Sequence, residues 1–269
     1  MSHFDAVQDV YIKHFDRGPM LTDPPKAVVD SLLDAETGRI HFANVGGLLT
    51  LPPDDRHPPL VRETVELLHE VGTWCAGLAS RAGAIAALPV ADDRALQAGK
   101  LLNEIDSNTS RFGAAIKAKS AMMRSTVENL TAAMRSEEGG DLAPEVARRL
   151  ADHFLSLGEG DRAAFVRRAE QAGNAAAIRA VANDALVPFV APQLGRNALL
   201  DRAGRARHPG VAAMCDSYAQ LAGRVDRNLA RISETVAKAA AMAAQNTDAQ
   251  KLALVRASMR AGRPSELAG

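Results

Sequence analysis

"SNTSRFGAAIKAKSAMMRSTVENLTAAM", residues 107–134, holds one glycine and no proline, and its apolar side chains recur at helical spacing. Taken from one turn upstream, Ile105, Thr109, Phe112, Ile116, Lys119, Met123, Val127, Leu130 and Met134 follow one another at intervals of three or four residues. That is close to the repeat of about 3.5 residues that lets one helix lie along another. Thr109 and Lys119 interrupt the row, and Lys119 has to carry its ammonium to the edge on its apolar stem. The stretch reads as one side of a helical seam, not as a catalytic surface. A helix over residues 93–136 spans roughly 65 Å at about 1.5 Å per residue.

The same pattern returns near the other end. In "HPGVAAMCDSYAQLAGRVDRNLARISETVAKAAAMAAQ", residues 208–245, the row is Val211, Met214, Tyr218, Leu221, Val225, Leu229, Ile232, Val236 and Ala239. The two rows are expected to pack on each other, on a second copy or on a partner protein. Ile105, Phe112, Ile116, Met123, Val127, Leu130, Tyr218, Leu221, Val225, Leu229 and Ile232 are the candidate partner-binding side chains. Composition agrees with long, closely packed helices. Hydrophobic residues make up 47% of the chain but aromatics only 4%, and much of the remainder is alanine, the best helix former.

Between the seams the helices are shorter. Pro144 suits the first turn of "PEVARRLADHFLSL", Asp161 is placed to cap "RAAFVRRAEQA", and "GN" at 173–174 separates it from "AAAIRAVANDALV". "EEGG" at 137–140 is expected to stop the first long helix, Pro188 and Pro192 to end the cluster, and "NTD" at 246–248 to break the second long helix before a short helix near residues 249–259. The last stretch, "AGRPSELAG", reads as frayed.

Ahead of the helices, eight of the thirteen prolines lie between Pro19 and Pro89. "DRGPMLTDPPK" and "TLPPDDRHPP" therefore read as loops, with a short helix over Lys26–Asp34 between them. "GRIHFANVGGLLTL" alternates around Gly46-Gly47 and predicts a β-hairpin, the one sheet expected. From Pro59 to Leu88 helical periodicity resumes. Gly72, Gly77 and Gly83 there are expected to admit a close neighbour. Asp92 or Asp93 is placed to cap the next helix. The chain is thus read as all-α: antiparallel coiled-coil-like helices, a cluster of short helices and a small N-terminal hairpin. Its segments are 1–58, irregular; 59–140, a long helical hairpin; 141–195, the short-helix cluster; and 196–269, a long C-terminal helix and tail.

Chemistry-bearing patterns are sparse. The seven histidines are scattered, and no CxxC or HExxH spacing occurs, so neither a zinc site nor any cofactor is expected. Cys75 and Cys215 sit in helical texture and read as inert buried thiols. His69 stands among Glu63, Glu66 and Glu70 and reads as a salt-bridge residue. Asp54-Asp55 beside His57 only loosely resembles a metal-binding loop. Ser110, Ser120, Ser125 and Thr126 have no recognisable base, and "NVGGLL" lacks the Gly-Lys-Ser ending of a phosphate loop.

Net charge is zero but unevenly spread: −6 over residues 1–95, balanced over 96–195 and +6 over 196–269. Attraction between the two ends, within or between chains, accounts for this, with separate acidic and basic partner surfaces as the other reading. Arg196, Arg202, Arg205, Arg207, Arg224 and Arg231 could form a phosphate-tracking stripe. Interleaved Asp201, Asp216 and Asp226 and the scarcity of stacking aromatics weigh against nucleic acid. No run of apolar residues is long enough to span a membrane, and the acidic "MSHFDAVQDVYIKHFD" lacks the apolar core of a secretory signal.

"LSLGEGDRAAFVRRAEQAGNAAAIRAVANDALVPFVAPQL" followed by "HPGVAAMCDSYAQL" carries a resemblance. A helix ends in a glycine, a second supplies an alanine–valine pair, and a proline-containing loop precedes a long helix. Residues 150–232 in this pattern resemble uncharacterised helical proteins of tailed bacteriophages and prophages, although "NDALVPFVAPQL" is longer than the proline loop of that pattern. The resemblance implies a phage structural or accessory protein and transfers no catalytic residue. The expectation is a non-enzymatic assembly or adaptor protein, oligomeric or bound to a protein partner, in the cytoplasm, in a host cytoplasm or in a virion. Nucleic-acid association through the C-terminal arginines is the alternative.

Overall fold

The computed structural model describes residues 12–15, 18–33, 37, 39–136, 142–187, 191, 194–245 and 247–260. Among them helix dominates, with nine helices and two two-stranded antiparallel sheets, so the chain is all-α. In chain order these are β1 (Ile12–Phe15), β2 (Gly18–Leu21), α1 (Lys26–Leu32), β3 (Ala43–Val45), β4 (Leu48–Thr50), α2 (Pro59–Ala86) and α3 (Ala91–Ser136). There follow α4 (Pro144–Ser156), α5 (Glu159–Gln171), α6 (Ala175–Ala182), α7 (Arg196–Arg207), α8 (Pro209–Ala244) and α9 (Ala249–Arg260).

The hairpin expected around Gly46-Gly47 is β3–β4. Both glycines have positive φ, 57° and 89°, which the tight turn requires and side chains resist. The expectation of a single sheet is corrected, because β1 and β2 also pair, with His14 opposite Pro19 and Ile12 opposite Leu21. Pro19 alone does not make Gly18–Leu21 a loop, since a strand of a two-stranded ribbon needs ladder bonds on one edge only. Asp161 is likewise not a cap: α5 begins at Glu159 after Gly158, and Asp161 lies in its first turn. Asn174 caps α6, accepting from the Ala177 backbone N–H at 3.1 Å. The stops expected at 137–140 and at Pro188 and Pro192, and the tail at 261–269, lie outside the described residues.

Two compact units make up the chain, residues 1–39 with 122–219 and residues 40–121 with 220–269. Segments 59–140 and 196–269 each contribute to both, because α3 and α8 run from one unit into the other. In the first unit α4, α5, α6 and α7 enclose a core of Phe154, Val166, Ile178, Val181, Leu199 and Ala203. The end of α3 is fixed to this cluster. Buried Arg179 donates to the carbonyls of Met134 and Arg135 at 3.2 Å each, satisfying acceptors that a helix C-terminus leaves open. Arg135 pairs with Asp201, and Gly204 lies so near Met134 that a Cβ there would sit 2.7 Å from the Met134 Cβ. Asp23 accepts from the Val211 N–H at 3.1 Å, so a side chain remote in sequence caps α8.

In the second unit α2 and α3 run antiparallel, as their cross-links record. Glu63 meets Lys119, Glu70 meets Arg111 at 3.0 Å, and Glu104 accepts from both Arg81 and the Trp74 indole. Leu78, Ala82, Leu101, Leu102, Ile105, Ala239 and Ala243 bring α2, α3 and α8 into one core. α9 lies against α3, with Val255 over Gly99 and ion pairs Lys251–Asp92 and Arg256–Asp106, each at 2.5 Å. Of the three glycines expected to admit a neighbour, only Gly72 does so closely. A Cβ there would lie 2.4 Å from the Val45 carbonyl oxygen, whereas Gly77 faces open space and Gly83 has ordinary contact with Met242.

Candidate functional site

Nearly every seam side chain lies inside the chain's own units. Ile105, Phe112, Ile116, Met123 and Leu130 of α3 are buried, as are Tyr218, Leu221, Val225 and Ile232 of α8. They are buried within the chain itself. Val127 and Leu229 are half-buried instead, and in each case the preceding polar residue, Thr126 or Asn228, takes the buried place. Thr126 satisfies its hydroxyl on the Met122 carbonyl one turn back. Asn228 has a larger task. Its amide accepts from the Leu49 N–H at 3.0 Å and donates to the Leu49 carbonyl at 2.7 Å, pairing with the outer edge of β4 as another strand would.

Two of the six candidate phosphate-binding arginines serve the same hairpin. Arg231 donates to the Gly47 carbonyl at 2.9 Å and Arg224 stacks over the Phe42 ring with 5.0 Å to its centroid. Residues 224, 228 and 231 share one face of α8 by helical spacing, and that face holds the hairpin. The other four arginines lie in the first unit. Arg205 forms a two-pronged pair with Asp216 at 2.8 and 2.9 Å, and the partner carboxylate raises the guanidinium pKa further. Arg196 donates to Asn183. Arg202 and Arg207 are half-buried on α7. The six therefore divide between two units, and at least four have partners within the chain.

Beside His57 lies a half-open pocket of about 300 Å³, lined by Asp54, Asp55, Arg62, Glu66 and His69 among others. Two of its acid–base side chains, Asp54 and His57, have partners in their own loop. Asp54 accepts from the Arg56 guanidinium and backbone N–H, which together bring its pKa down to about 2. His57 is buried and donates its Nε2–H to the Pro52 carbonyl at 3.0 Å, since a carbonyl can only accept. The salt-bridge role expected of His69 is not the one found. Glu63 and Glu70 turn to Lys119 and Arg111, while the His69 Nε2 is buried without a hydrogen-bond partner among the described residues. No group of three His, Cys, Asp or Glu placed to hold a metal ion occurs among those residues.

Two of the four hydroxyl candidates, Ser120 and Thr126, are engaged. Ser120 donates to Asp226 at 2.7 Å, an arrangement with no imidazole to activate it. Cys75 and Cys215 are buried free thiols, and burial pushes each up to about 11, the opposite of what a reactive cysteine needs. No helix among the described residues is long and apolar enough to cross a membrane. No protein-family model, curated protein or solved structure matches the chain.

Proposed function

We propose that this chain is a non-enzymatic helical assembly protein that works through protein–protein contacts, a second copy of itself among them. The observation that carries the reading is the use made of charge on the long helices. Glu63–Lys119, Glu70–Arg111, Glu104–Arg81, Asp92–Lys251, Asp106–Arg256 and Arg135–Asp201 each tie one helix to another. Side chains that could bind or transform a ligand are spent on holding α2, α3, α7 and α9 in register. What that bracing supports is a 46-residue helix, about 70 Å long at about 1.5 Å per residue. The surface also carries large apolar side chains at Val90, Val146, Leu186, Met242 and Leu254, of the kind that protein contacts bury. The resemblance of residues 150–232 to tailed-phage proteins favours a phage structural or accessory role.

Nucleic-acid association remains the alternative, and the arginine pairings weigh against it, since a paired guanidinium releases fewer counterions on meeting a phosphate. Titration of labelled duplex DNA at physiological salt, beside sedimentation of the same preparation, tests the order. Weak DNA binding with a mass above that of one chain is expected. Submicromolar, steeply salt-dependent DNA binding by a strictly monomeric chain would reverse it.

A further inference from the structure

We infer that α9 is an exchangeable latch: the face of α3 that it covers is a docking surface for α9 of a second copy, and exchange of this helix is the means by which the protein self-associates. This deepens the assembly reading above and rests on it.

The first ground is how lightly α9 is held. Among residues 249–259 one side chain, Val255, is fully buried, seated over Gly99 where a Cβ would lie 2.4 Å from its Cγ1. Leu252 adds partial cover to the core below. The remaining ties are the surface pairs Lys251–Asp92 and Arg256–Asp106, which salt screens. The fit is also imperfect. Arg256 Nε and Asn103 Oδ1 are buried without hydrogen-bond partners among the described residues, and an open cavity of about 460 Å³ reaches from Met259 to Lys100 and Asp106. A short helix with one buried anchor and unsatisfied polar atoms opens before the core does.

The second ground is the join. From Arg224 to Ala261 the sequence has no glycine and no proline, so the break between α8 and α9 rests only on the mild helix aversion of Asn246, Thr247 and Asp248. At the join the Thr247 N–H donates to the Ala244 carbonyl at 3.2 Å, and Asp248 caps α9 by accepting from the backbone N–H of Gln250 and Lys251 at 2.8 and 3.1 Å. Loss of that cap lets the helix run through, and α9 is then carried off its own α3. Elements that can detach on a short hinge commonly swap between identical chains, because the packing and ion pairs broken within one chain form again with the other. The surface left behind has a defined complement. It presents a glycine notch between two carboxylates, and the helix that fits carries a Val-sized knob with one basic residue four positions before it and another just after. α9 of a second copy meets that description residue for residue. Met242 and Leu254, both exposed, flank the join and supply apolar surface where two exchanged hinges come together.

Two full-length charge variants test the exchange. One carries Asp92→Lys with Asp106→Arg, and the other Lys251→Glu with Arg256→Glu. Each repels its own α9, yet a swapped pair of the two restores both sets of ion pairs. Mixed, they should form a one-to-one heterodimer, and each alone should self-associate at least tenfold more weakly than wild type. Ala249→Pro is the independent check. Proline suits the first position of α9 but breaks a continuous α8–α9 helix, so it should leave the monomer folded and weaken dimerisation at least tenfold. If wild type self-associates but Ala249→Pro does so equally and the mixed variants form no heterodimer, α9 exchange is wrong and the assembly reading stands. If wild type stays monomeric at every concentration, both fail.

Discussion

Gly72 and Gly77 lie five residues apart on α2, and alanine at the two positions should change stability in opposite directions. In an isolated helix either change gains about 1 kcal/mol from lower backbone entropy in the unfolded chain. At Gly77 nothing lies within 4 Å of the added Cβ, so that gain should appear almost in full. At Gly72 the Cβ would lie 2.4 Å from the Val45 carbonyl oxygen and 3.0 Å from the carbon. Backbone cannot rotate away as a side-chain tip can, so the hairpin must move. The turn cannot slide past, because Gly46 is itself pressed against the Gly72 carbonyl. Movement strains the two Asn228–Leu49 bonds, about 1 kcal/mol each, and uncovers part of Leu48 and Leu51, worth about 1 kcal/mol between them for partial exposure. A net loss of about 2 kcal/mol is expected for Gly72→Ala. Urea titrations followed by helical ellipticity read both variants against wild type. Gly72→Ala unfolding at the same urea concentration as Gly77→Ala, or higher, would show that the hairpin does not seat on α2.

Ile116 is fully buried, so Ile116→Asp should cost about 4 kcal/mol, while Leu229→Asp, at a half-buried position, should cost well under half of that; equal melting temperatures for the two would contradict the burial. Asn228→Ala should cost about 2 kcal/mol and raise amide exchange at Leu49, with unchanged exchange refuting the clamp. Because Asp54 is held down to about 2, its contribution to the loop is present above the ordinary carboxylate range and fades only as pH falls towards 2. An NMR titration of its carboxyl with a midpoint near the usual Asp value of about 4 would remove that staple. Both thiols should resist alkylation in the folded chain at mildly alkaline pH, since burial raises each to about 11; rapid labelling of either would place it at the surface.

The seams were legible because burial along a long helix follows its period, and seven of the nine α3 positions named for the first are in fact buried or, at Lys119, paired at the edge as its stem allows. Nothing in the structure explains why Thr126 takes the buried place of Val127 on α3. The failure at Leu229 has a cause: the α8 row steps at about 3.5 residues and drifts against a straight helix of about 3.6 per turn, and the β4 edge needs an amide at Asn228. That need comes from a residue 179 positions away and leaves no local trace. The same holds for Asp23 capping α8 and for Gly72, which looks like Gly77 until Val45 is set against it. The Gly46-Gly47 turn was readable because positive φ selects glycine. The arginine stripe was misleading for a physical reason: spacing along the sequence records which charges are near one another, not which have already found a carboxylate, a carbonyl or a ring.

The most direct measurement is sedimentation equilibrium of the purified wild-type chain from nanomolar to near-millimolar concentration at physiological salt. The weight-average mass should rise with concentration from the 28.5 kDa of one chain towards twice that value. A mass fixed at one chain over the whole range would contradict self-assembly.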